Sequence, residues 1–73
     1  MKVQIKIVNN VSFKTVENWE VKVENVKSLE KFCDGIQRTL KSDEVIKVSL
    51  IVETTIFPNA DISERIQQLQ SFM

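Results

Sequence analysis

Lys2-Val3-Gln4-Ile5-Lys6-Ile7-Val8 alternates without a break, with Val3, Ile5 and Ile7 on one face and Lys2, Gln4 and Lys6 on the other. A period of two marks a half-buried strand, so the chain opens on a sheet. Asn9-Asn10 ends the alternation and offers a turn, because asparagine tolerates positive φ. From Val11 the odd positions Val11, Phe13, Thr15, Trp19, Val21 and Val23 suit a buried face, and only Glu17 does not. Residues 11–24 therefore read as one long strand, bent or bulged near Glu17-Asn18, where polarity peaks.

Parity restricts how the two strands meet. A two-residue loop at 9–10 would set Ile7 against Ser12, the apolar face of one strand against the polar face of the other. Odd must meet odd, which takes an odd-length loop or a bulge. A three-residue loop pairs Ile7 with Phe13 and leaves 18–24 overhanging. A longer loop pairs Ile5 with Trp19 and leaves Phe13 near the tip. Both registers stay open at this point.

The period then changes. Val26, Leu29, Phe32, Cys33, Ile36 and Leu40 recur at helical spacing, which predicts a helix over 26–41 capped by Asn25 or Ser28. Residues 44–55 alternate again, with Ile46, Val48, Leu50 and Val52 inward. Pro58 punctuates, and Ile62, Ile66, Leu69 and Phe72 place a second amphipathic helix over 60–72, with Asn59 as its cap. The expected architecture is a single α+β domain over residues 1–73. It has a three-stranded, largely antiparallel sheet and two helices in the order β-β-α-β-α, without repeat, linker or low-complexity tract.

Composition narrows the function classes. The chain has 73 residues, of which Val, Ile, Leu and Phe supply 26, enough for a core and too many for a disordered segment. Ten basic residues balance ten acidic ones, so neither a strongly basic nucleic-acid module nor an acidic mimic of one is indicated. One cysteine cannot form an internal disulfide, which fits a reducing, cytoplasmic setting. No apolar run approaches the length of a membrane span, and the alternating start does not read as a signal peptide.

Catalytic equipment is sparse. There is no histidine and no tyrosine, which removes the commonest general base and most metal and triad arrangements. A single glycine excludes a phosphate-cradling loop. Cys33, the only thiol, would need an activating neighbour to be a nucleophile, and it falls on the apolar helix face, where packing is the expected role. Glu30 and Asp34 share a helix flank, and Asp43 and Glu44 adjoin at a turn, but both pairs sit among lysines on solvated elements. The expectation is a non-enzyme without cofactor or metal.

Two surfaces are candidates for binding. Lys2, Lys6, Lys14, Lys22 and Lys47 occupy outward strand positions and can face a phosphate backbone. Lysine also protects sheets against aggregation, Glu20, Glu24 and Glu53 share that face, and Trp19 and Phe13 lie on the opposite parity. The outward face also carries Val8, Val16, Val45 and Ile51. Ser28, Gly35 and Ser42 form a small-residue stripe at heptad spacing on the first helix, a place for close approach by the second helix or by another chain. These residues, with Phe13, point to a non-catalytic interaction protein. The expected mode is homodimerisation and binding of a further protein, as in a phage- or mobile-element-type accessory factor or inhibitor. Nucleic-acid binding through the lysine face is the alternative, and no membrane partner is expected.

Overall fold

The computed structural model describes residues 2–50 and 52–70. It is an α+β fold in the order β1 (Lys2–Asn9), β2 (Thr15–Lys22), α1 (Val26–Gln37), β3 (Glu44–Ser49), β4 (Glu53–Ile56) and α2 (Ile62–Gln70). The sheet has four strands in the order β2-β1-β3-β4, all neighbours antiparallel. Two ββα units thus lie side by side, joined through the central strands β1 and β3.

Four strands replace the three expected, because 44–55 is a hairpin. Ser49 pairs with Glu53, so the chain reverses between them. A three-residue loop preserves parity, which lets Thr54 and Ile56 fall on the same face as Ile46 and Val48, so the hairpin imitates one long alternating strand. Leu-Ile-Val at 50–52 carries none of the usual turn residues. Val52, expected inward, is exposed. Ile51 lies outside the described residues.

The first hairpin adopts the longer-loop register. Val3 faces Val21, Ile5 faces Trp19 and Ile7 faces Glu17. A bulge between Ile7 and Val8 then sets Val8 against Thr15, leaving Val16 as the extra residue. The expected strand over 11–24 is accordingly shorter, since residues 10–14 form the loop and β2 ends at Lys22.

The inner face is built from cross-strand rows, Trp19–Ile5–Val48–Thr54 and Glu17–Ile7–Ile46–Ile56. Both helices cover it. Leu29 and Cys33 from α1 and Ile62, Ile66 and Leu69 from α2 join Val3, Ile5, Ile46, Val48 and Ile56 in one core. Trp19 extends that core toward the β2 edge, its ring meeting Phe32 edge-on at 6.1 Å.

Helix ends follow local chemistry. Asn25 caps α1, its Oδ1 accepting from Ser28 N at 2.9 Å. The helix stops at Gln37, short of 41, because the chain tightens into i→i+3 bonds from Thr39 N to Ile36 O and from Leu40 N to Gln37 O. Asp61, not Asn59, caps α2, accepting from Glu64 N at 3.3 Å. Of the second helix's expected apolar face, Ile62, Ile66 and Leu69 are buried, and Phe72 lies outside the described residues.

Candidate functional site

The β1–β2 loop is tightly organised. Asn9 Oδ1 accepts from both Val11 N and Ser12 N at 2.9 Å, forming an Asx turn. Phe13 N donates to Asn9 O at 2.8 Å, and Asn9 N donates to Lys14 O at 2.9 Å. Two further bonds tie the loop to the turn before β3: Asn9 Nδ2 donates to Asp43 Oδ2 at 3.0 Å, and Asn10 N donates to Asp43 O at 2.6 Å.

This scaffold holds Phe13 at φ 60°, the sole non-glycine positive φ among the described residues. The left-handed region costs an L-residue about 1–2 kcal/mol, and asparagine or glycine normally fills it. Burial does not offset that cost here, because Phe13 is 78% exposed. Val11 at 76% and Val16 at 52% are exposed beside it along the chain. The ends of β1 and β4 meet β3 at this end of the sheet, where Phe57, also exposed, follows Ile56. The hairpin end therefore displays large apolar side chains on a loop fixed by hydrogen bonds.

The other expected interaction residues are distributed differently. Val8 and Val45 stand directly opposite one another on the outer face, as their parity requires, yet both are buried. They sit on the two central strands, with neighbouring strands on either side. The small-residue stripe does not form, since Ser42 lies beyond the end of α1. Gly35 faces open space, with no atom within 4 Å of where a Cβ would stand, so α2 does not approach it. Ser28 is exposed in the first turn of α1. Parity does not single out Val11 or Phe57: it puts Val11 on a buried strand face, whereas the loop after Asn9 runs on to Lys14 and carries Val11 with it.

Lys2, Lys6, Lys22 and Lys47 lie on the outer face as expected, while Lys14 belongs to the loop. Lys2 Nζ is 3.5 Å from Glu20 and Lys47 Nζ is 3.5 Å from Glu53.

The groups considered for chemistry have structural employment. Cys33 is fully buried, and burial pushes its thiol up to about 12, which leaves it protonated and inert at neutral pH. Asp34 pairs with Arg38 at 2.9 Å, one helical turn away, and Glu30 accepts from Ser63 Oγ at 3.3 Å. Asp43 holds the hairpin loop, and buried Glu44 accepts from Lys41 N at 2.9 Å. An open cleft of about 370 Å³ runs between the helices, but Lys27 and Lys31 alternate there with Glu30, Asp34 and Asp61, so no one charge dominates it. Among the described residues no three metal-ligating side chains converge, and no helix is long and apolar enough to cross a membrane. Comparison of the chain with protein-family models, with curated proteins and with solved structures finds no match.

Proposed function

We propose that this chain is a non-catalytic protein-binding module whose contact surface is the hairpin end of the sheet, and that its first partner is a second copy of itself. The observation that carries this reading is Phe13, an exposed aromatic held in the left-handed region by a loop whose bonds converge on Asn9 and Asp43. Strain of this kind persists where the surroundings over-determine it, and it clusters at functional sites. An aromatic flanked by Val11 and Val16 on a rigid tip is also the composition of an interface anchor. A domain this short gains proportionally more than a large one from burying surface against a copy.

The sheet edges suit that role less well. β4 is only four residues long, and β2 carries a bulge and the inward-facing Glu17, features that discourage strand-to-strand pairing. A cytoplasmic accessory factor or inhibitor, of the kind carried by phages and mobile elements, is the setting this reading favours. Light scattering at low micromolar concentration tests it. The expected result is a mass of two chains for the natural sequence and one chain for Phe13→Asn. A natural chain that stays at one mass removes the self-association, and a Phe13→Asn dimer removes the hairpin end as its contact.

A further inference from the structure

The register of the outer face shows two pairs of lysines set directly against each other. Lys2 stands opposite Lys22 across β1 and β2, and Lys6 stands opposite Lys47 across β1 and β3. Like charges in directly opposed positions destabilise a sheet. Protection of an exposed edge accounts for Lys22 on β2, but not for Lys6 and Lys47, which occupy the two central strands. Glu20 engages Lys2 in a solvent-exposed pair at 3.5 Å, a type that contributes little, and Glu53 engages the half-buried Lys47 at 3.5 Å, which leaves Lys6 opposite without an acid of its own. Among the described residues no acid is paired with Lys6 or Lys22.

We propose that the outer face of the sheet docks the phosphate backbone of a nucleic-acid duplex, with the opposed Lys6 and Lys47 ammonium groups at the centre of the contact. Charge complementarity argues for the occupant: an anion between the two lysines converts their repulsion into attraction on both sides. The neighbouring outward residues Gln4, Asn18, Ser49 and Thr55 are neutral hydrogen-bonding groups of the kind that contact phosphate and sugar. A duplex fits better than a single strand. Single strands are held by aromatic side chains stacked on bases, and no aromatic residue points outward from the four strands; Trp19 lies on the inner face against Phe32. The surface is separate from the hairpin tip, so this inference stands or falls apart from the protein-binding reading.

Fluorescence anisotropy of the full chain with a mixed-sequence DNA duplex, a mixed-sequence RNA duplex and poly-glutamate tests it, at about 50 and about 200 mM salt. The expected result is duplex binding with a log–log salt slope between about −2 and −4, set by the lysines engaged. Changing Lys6 and Lys47 together to glutamine lowers that slope by about 2 and weakens binding about tenfold or more. The same substitution raises the melting temperature by about 2–4 °C, since it removes the opposed charges. Lost binding in a protein that melts higher cannot be blamed on misfolding. Absence of salt-dependent duplex binding, equal binding to poly-glutamate, or a glutamine variant that binds as well as the natural chain overturns the proposal.

Discussion

The side-chain amide of Gln37 donates to the carbonyl oxygen of Phe57 at 3.0 Å, and the same nitrogen reaches Ala60 O at 2.8 Å. One residue at the end of α1 thus fastens the connection that delivers α2 to the core. Gln37→Ala leaves two carbonyls without this donor and is expected to cost about 1–2 kcal/mol in urea unfolding. Gln37→Glu sets a carboxylate against both carbonyl oxygens and is expected to cost more than alanine. Equal stability of all three proteins would show that water replaces the bond without loss.

Phe13→Asn is expected to stabilise the isolated chain by about 0.5–1 kcal/mol, because asparagine occupies the left-handed region at less cost than phenylalanine. Little apolar burial is lost, as Phe13 is largely exposed. Denaturant unfolding at a concentration where the chain is monomeric measures it. A destabilised variant would mean that the aromatic ring contributes packing within its own chain.

Gly35→Ala is expected to add about 0.5–1 kcal/mol, the ordinary gain for replacing a mid-helix glycine. The space its methyl group would fill is empty. The variant should associate as the natural chain does, because the proposed contact is made by Phe13 with Val11 and Val16 and not by Gly35. Weakened self-association would return the small-residue surface of α1 to the interface.

The raised thiol of Cys33 makes a pH prediction. Its value in the fold is about 12 against an ordinary 9.0, so the protonated form is favoured in the folded state. That contribution is complete below about pH 9 and is lost as pH rises toward 12, with a slope of at most about 1.4 kcal/mol per pH unit. Cys33→Ala, which has no thiol to ionise, should lose stability less steeply over this range. Parallel denaturation curves for the two proteins would mean that the thiol ionises as easily folded as unfolded.

Much of this fold was legible from side-chain periodicity. β1, both helical faces and the odd-to-odd rule for the first hairpin follow from apolar spacing, and the structure chooses the register with Ile5 against Trp19. The second hairpin was hidden because an odd number of residues separates its strands, which keeps parity, and those residues are Leu, Ile and Val. Asn9 announced a turn, but its length depends on a side chain that accepts from two amides and on Asp43, 34 positions away. No local pattern reports a contact at that separation. For the same reason the exposure of Val11 and the burial of Val8 and Val45 became visible only with the strands in place. The lysines were visible as a face, while their direct opposition required the register between β1 and β3.

The hairpin end is the proposed contact surface. Amide NMR spectra of the full chain, followed from high to low micromolar concentration, test this directly. The account predicts dilution-dependent shifts concentrated at residues 11–16, accompanied by Phe57 and the amides around Asp43, and their disappearance in Phe13→Asn. Shifts centred on residues 18–22 of β2 or on Ser28 and Gly35 of α1, or spectra that do not change with concentration, would contradict it.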